Sequence, residues 1–130
     1  MFLQLDLSDG RPVYQQIRDQ VVEAVALGLL PDGARLPTTR QLAADLAINF
    51  HTVSRAYDLL RQEGFVQLTR RRGAFVRVTR SGVAPDWRAR LRTLLAEAWA
   101  QGMSEAEIRE ACGESLGEFR ASRGQGGTAP

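Results

Sequence analysis

The stretch that decides the fold runs from Thr38 to Gly64 and reads TTRQLAADLAINFHTVSRAYDLLRQEG. Thr38 and Gln41 stand three residues apart. At that spacing a threonine hydroxyl and a glutamine amide can satisfy each other's free backbone N–H groups at a helix start. Leu42 and Leu46 then share the inner face of a short helix. Asn49 is a good N-cap for another, in which Val53, Ala56, Tyr57 and Leu60 make one apolar stripe. His51, Arg55, Asp58 and Gln62 fall opposite, at ~100° per residue. Gly64 ends the segment with the residue that most easily turns out of a helix. The joint around Ile48 and Asn49 is very short, which suits the tight turn between paired helices.

Upstream, PVYQQIRDQVVEAVALGLL (Pro12 to Leu30) repeats Val13, Ile17, Val21 and Ala24 at helical spacing. Pro12 suits the first helical position, and Gly28 with Pro31 to Gly33 marks the stop. Downstream, FVQLT and AFVRV flank Arg70 to Gly73 and read as a β-hairpin. Three helices followed by a hairpin is the order of a winged helix-turn-helix. Residues 80–86, RSGVAPD, read as a linker. Two further helices follow. The first carries a broad apolar face of Trp87, Leu91, Leu94, Leu95, Ala98 and Trp99, and Gly102 stops it. Ser104 with Glu107 is a second capping box, and Ile108, Cys112 and Phe119 continue an apolar stripe on which Cys112 reads as a small hydrophobe. The fold expected is mainly α with a small β-hairpin (α+β). A winged helix-turn-helix spans residues 1–80, a two-helix dimerisation or effector appendage spans 81–119, and a disordered tail spans 120–130.

The 130 residues are 44% hydrophobic and 25% charged, which suits one small soluble domain with an appendage. A formal net charge of +2 names no partner, but its distribution is uneven. Through Arg80 there are eleven arginines against eight acids, and after it six against seven. All 17 basic residues are arginine. GC-rich codon usage explains that plainly, yet arginine also suits bidentate contact with phosphate and guanine. One cysteine allows no disulfide within the chain and no thiolate metal cluster. The first residues lack the pattern of a signal peptide, and no apolar run approaches a membrane span, so a cytoplasmic protein without membrane contact is expected. One histidine, one cysteine, no nucleophile motif and no glycine-rich phosphate loop argue against an enzyme, a metal site or a cofactor.

In a helix-turn-helix the second helix of the pair enters the major groove with its N-terminal residues near base edges. That aims Asn49, Phe50, His51, Thr52 and Arg55 at DNA. The hairpin becomes a wing whose Arg70 to Arg72 lie along phosphates or enter the minor groove, and Gly73 lets its backbone turn and approach closely. A winged helix that binds a protein partner or RNA is the alternative. The polar outer face of the recognition helix weighs against a protein partner. The deep, narrow groove of A-form RNA weighs against RNA. A face as broad as that of Trp87 to Trp99 needs the winged domain or a second copy of itself, and a two-fold dimer is the commonest answer.

Residues 12–76 resemble the DNA-binding domain of GntR-family bacterial transcription regulators. The resemblance lies in PVYQQI, LLPDGARLPTTRQLA, TVSRAYDLLRQEGFV and RRGAFV at their observed spacings. The short C-terminal part, RLRTLLAEAWAQGMSEAEIREACGESL, is similar to the helical hairpin of the YtrA-like branch, which serves chiefly to dimerise. The resemblance implies that Arg40 in LPTTR, with Thr38 and Thr39 beside it, faces the operator. It implies the same for Asn49 and Thr52 at the front of the recognition helix, and for Arg71, Arg72 and Gly73 at the wing tip. Phe50 and His51 depart from the usual pattern, so the operator sequence does not carry over. It implies further a homodimer on a palindromic double-stranded DNA operator, acting as a repressor, with nearby transporter operons as the regulated genes. A small-molecule effector of unknown identity stays open.

Overall fold

The computed structural model describes residues 3–78 and 86–125, the last three of these by their backbone alone. The chain divides into two compact units, residues 1–82 and 83–130.

The first unit contains α1 (Val13–Ala26), α2 (Thr39–Leu46), α3 (Phe50–Gln62) and the antiparallel pair β1 (Val66–Thr69) and β2 (Gly73–Val76). Its core forms around the stripe read from the sequence. Val53, Ala56, Tyr57 and Leu60 of α3 are buried, as are Ile17 and Val21 of α1, Leu42 of α2, and Val66, Ala74 and Val76 of the hairpin. Each fully buried branched side chain contributes ~1.5–3 kcal/mol relative to exposure. Both helix starts follow the expected chemistry. The Thr38 hydroxyl accepts from the Gln41 N–H, and Gln41 Oε1 accepts from the Thr38 N–H, each at 3.0 Å. Asn49 Oδ1 accepts from the His51 N–H at 2.8 Å. Pro12 differs from expectation: it is the N-cap of α1, in extended backbone, and the helix begins at Val13.

Two features were not visible in the sequence. The Gly33–Leu36 segment runs along the free edge of β2, through Gly33 N–H to Val76 O, Val76 N–H to Ala34 O and Leu36 N–H to Ala74 O, all at 2.8 Å. β2 is therefore the middle of three extended segments. Ala74, Phe75 and Val76 are all buried in place of a strict alternation. Residues 3–6 are strapped across α1 by two glutamines one helical turn apart. Gln20 brackets the backbone N–H and C=O of Gln4, and Gln16, only 2% exposed, brackets those of Asp6. The strap lets Leu3 join the core. A buried carboxamide carries four hydrogen-bonding valences, and three backbone groups, including the Arg11 carbonyl, engage that of Gln16.

The second unit contains α4 (Trp87–Ala100) and α5 (Glu105–Gln125). Ser104 and Glu107 form the anticipated capping box. α5 runs past the expected end at residue 119. Arginine and alanine at 120 and 121 favour helix and no proline intervenes, so residues 120–125, expected in a disordered tail, are helical. The rest of that tail, and the linker reading except for Asp86, fall outside the described residues.

Four helices end in the same motif, in which the N–H groups just past the helix return to carbonyls of its last turn. Gly28, Gly64 and Gly102 supply the left-handed residue for α1, α3 and α4. At the end of α2 that residue is Ala47, at φ 55° and ψ 47°. A Cβ in this region costs ~1–2 kcal/mol. Ala47→Gly is therefore expected to stabilise the protein by about 0.5–1 kcal/mol and to raise Tm by several degrees in a thermal denaturation followed by circular dichroism. An unchanged or lower Tm would refute the strain at this turn.

Candidate nucleic-acid interface

Five arginines of the first unit sort into two kinds. Arg11 and Arg18 serve the structure. Arg11 bonds Asp9 and Asp19. Arg18, 12% exposed, bonds Glu63 at 2.8 Å and Asp19 at 3.0 Å, and lies near the Phe65 ring. Burial disfavours the Arg18 charge, but these two carboxylates outweigh it and hold the guanidinium protonated above its usual range. The pair ties α1 to the end of α3.

Arg40, Arg55 and Arg72 are of the second kind. They are exposed, and their partners are aromatic rings in place of carboxylates. The Arg40 guanidinium lies 4.9 Å from the centre of the Phe50 ring, Arg55 lies 3.9 Å from that of Tyr14, and Arg72 lies 5.7 Å from that of Phe75. A guanidinium that stacks on a ring uses its flat face, and the five N–H donors on its rim stay free. Asp58, three residues after Arg55 on the same face, pairs with Arg61 at 3.8 Å.

These side chains stand at three places in the fold. Thr38, Thr39 and Arg40 open α2. Asn49, Phe50, His51 and Thr52 open α3, three residues after α2 ends, and Arg55 follows one turn later. Two helix starts so close in sequence supply backbone N–H groups and positive dipole ends, the features that favour anions. Arg70, Arg71 and Arg72 form the three-residue loop between paired Thr69 and Gly73. Gly73, at φ 70°, takes the left-handed place that such a hairpin requires. The Thr69 hydroxyl accepts from the Arg72 N–H at 2.9 Å and tightens the loop. All three loop arginines are exposed.

The structure joins Arg40 with Phe50 across the turn between α2 and α3. It also sets the His51 ring 4.1 Å from that of Phe50 at a 32° tilt. Phe50 is half-buried and packs on the edge of the core, so its ring is spent on protein contacts. Asn49 and Thr38 spend acceptor oxygens on caps and keep donors free. Sequence reasoning gave no role to Tyr14 or Phe75. Their contacts with arginine follow from chain folding and from hairpin register, and no local pattern signals them. Buried Tyr57 donates its hydroxyl to Pro37 O at 2.7 Å, and burial pushes its phenol well above the usual range.

The residues read as a dimer interface all lie in the second unit. Trp87, Leu91, Leu94, Leu95 and Trp99 are exposed, Leu94 by 61% and Trp99 by 63%. Ala98, Ile108 and Phe119 are half-buried. Cys112, placed by sequence on an inner stripe, is exposed and lines an apolar groove of about 470 Å³ with Leu95, Trp99, Ile108 and Leu116. Two helices alone enclose no interior, which is the reason for the difference. Among the described residues no helix is long and apolar enough to cross a membrane.

The first unit is thus a winged helix-turn-helix with unspent arginine edges at two helix starts and a wing tip. The family model "Bacterial regulatory proteins, gntR family" matches residues 13–76. An HTH-type transcriptional regulator of Mycobacterium tuberculosis is 41% identical over 75 residues, 58% of this chain and 62% of that protein. The repressor YtrA of Bacillus subtilis is 36% identical over 74 residues, 57% of each chain. The matched stretch therefore spans about three-fifths of these relatives. Among solved structures, YtrA from Sulfolobus acidocaldarius, a GntR-family transcription factor, superposes with a TM-score of 0.60 at 36% identity, over 77% of this chain and 99% of that one. A Listeria monocytogenes protein described as a transcriptional antiterminator gives 0.77 at 26% identity, over 89% and 90%. The chain belongs to the GntR family and is a YtrA-like member of it.

The Asn49 cap separates stability from recognition. Asn49→Ala is expected to destabilise the first unit by about 1 kcal/mol through loss of the cap. Asn49→Asp, which keeps an accepting oxygen at the helix start, should retain wild-type stability. Urea unfolding of both variants checks this, and equal losses would show that the cap oxygen contributes nothing.

Proposed function

We propose that this protein is a sequence-specific DNA-binding transcription regulator that acts as a homodimer. One observation carries the reading: Arg40, Arg55 and Arg70 to Arg72 project from an HTH pair and its wing with no carboxylate partner among the described residues. α3 enters the major groove, and the rims of Arg40 and Arg55 read base edges there, where a bidentate arginine suits guanine. Thr38, Thr39, Asn49, His51 and Thr52 hold the phosphate backbone or reach bases. Arg71 and Arg72, turned at Gly73, follow the adjacent backbone or minor groove.

The dimer reading rests on the second unit. The exposed apolar row of Trp87, Leu91, Leu94, Leu95 and Trp99 is what a monomer rarely leaves in water. A second copy covers it, with Ala98, Ile108, Cys112 and Phe119 at the flank. Two-fold symmetry in the protein asks for a palindromic operator. Repression by occupying a promoter is the simplest mode of action for such a chain, and a transporter operon is the regulon suggested by resemblance. A small-molecule effector of unknown identity stays open.

The test is fluorescence anisotropy with the protein's own upstream promoter fragment against scrambled DNA of equal length, at two salt concentrations. Tight, selective binding that weakens steeply with salt is expected, because arginines displace counterions. Equal weak binding to both would favour a protein-binding winged helix. Arg40→Ala is expected to cost about 1–3 kcal/mol of specific affinity, and unchanged affinity would remove Arg40 from the contact set. Leu91→Glu combined with Leu95→Glu is expected to give monomers in sedimentation velocity, with poor operator affinity. A persistent dimer would place the interface elsewhere.

A further inference from the structure

Two of the three arginine–aromatic pairs at the candidate interface join different helices: Arg40 of α2 with Phe50 of α3, and Arg55 of α3 with Tyr14 of α1. We propose that Phe50 and Tyr14 are positioning residues for DNA recognition, aromatic shelves that set the plane of the Arg40 and Arg55 guanidinium groups and so determine sequence discrimination. The inference rests on the DNA-binding reading above and deepens it.

The chemistry of base reading makes a shelf useful. Guanine offers O6 and N7 as two acceptors in one plane, and an arginine reads both only when two rim N–H groups lie in that plane. A free arginine on the surface spreads over many rotamers, and ordering them costs up to ~2 kcal/mol. A ring beneath the guanidinium restricts the plane before DNA arrives and leaves the rim open. The rings are themselves held. Phe50 packs on the core edge and against His51, and Tyr14 packs on the same core. Both arginines are exposed on their other side. Arg55 stands in the wall of an open groove of about 510 Å³, with His51, Ser54, Asp58 and Gln62 around it. A merely structural arginine in this protein looks different: Arg18 is largely covered and bonds two carboxylates.

The experiment compares Phe50→Leu and Tyr14→Leu with the ring-keeping variants Phe50→Tyr and Tyr14→Phe. The probes are a duplex that the wild-type protein selects from a randomised pool and a scrambled duplex. A lost shelf is expected to reduce discrimination about two- to fivefold per subunit. Affinity for scrambled DNA and the salt slope should hold, because every arginine remains. The ring-keeping variants should retain wild-type discrimination. In an Arg40→Ala background, Phe50→Leu should cost no further discrimination. Thermal unfolding of each variant identifies any that fail to fold, and methionine in place of leucine then carries the same expectation. Full discrimination without the rings, or equal loss on both duplexes, overturns the shelf. A wild-type protein that selects no duplex at all overturns the DNA reading and the shelf with it.

Discussion

The first unit depends on burying one side of α3 completely while leaving the other side bare. Val53, Ala56, Tyr57 and Leu60 can leave water only if α1, α2 and the hairpin close around them. Ala56, fully buried, is small enough to let neighbouring elements approach. Tyr57 adds a condition that simple hydrophobicity does not. A buried hydroxyl without a partner costs ~1–3 kcal/mol, and the Pro37 carbonyl meets that need. Pro37 lies directly between the Gly33–Leu36 segment that pairs with β2 and the Thr38 cap that starts α2. That hydrogen bond therefore links α3 to the segment that joins the edge of β2 to α2.

That constraint explains why the interface arginines differ from the others. Any arginine near a carboxylate tends to be drawn into an ion pair, and its donors are then used. At the starts of α2 and α3 the nearby neutral oxygens are engaged in caps, and aromatic rings stand in the place of acids. A ring holds the cation by its face, for ~0.5–1 kcal/mol at exposed sites, without consuming an N–H. Four acids of this unit are drawn elsewhere. Asp9, Asp19 and Glu63 gather Arg11 and Arg18, and Asp58 takes Arg61. Its positive charge is thereby left unneutralised at the helix starts and the wing.

Most of this fold was legible because its signals are local. Capping pairs, helical periodicity and the glycine stops at Gly28, Gly64 and Gly102 are written within a few residues of where they act. The candidate site was legible as a set of positions for the same reason, since a helix-turn-helix fixes which residues open its second helix. What escaped was every contact across the chain. The third extended segment at Gly33–Leu36 is too short to show alternation, and only pairing with β2 defines it. The Gln16 and Gln20 straps read as ordinary polar residues on a helix. Phe50 read as a departure from its family, and its contact with Arg40 escaped because it depends on a residue ten positions away in another helix. The end of α5 escaped for the opposite reason: small polar residues resemble a tail, yet arginine and alanine permit helix where nothing stops it.

The two units solve opposite problems. The first has a buried core and leaves arginines without carboxylate partners; the second has no fully buried hydrophobic residue among those described and leaves tryptophan and leucine uncovered. On the proposed reading each becomes intelligible when a partner is supplied, DNA for one and a second copy for the other. The two requirements also reinforce each other. A shelf that restricts one arginine changes discrimination only a few-fold, a small effect against genomic competition. Pairing two subunits on one operator multiplies such factors, since free energies from separate, independent contacts add. Modest preorganisation at each recognition helix then suffices, provided the apolar face of α4 brings two such helices to the same DNA.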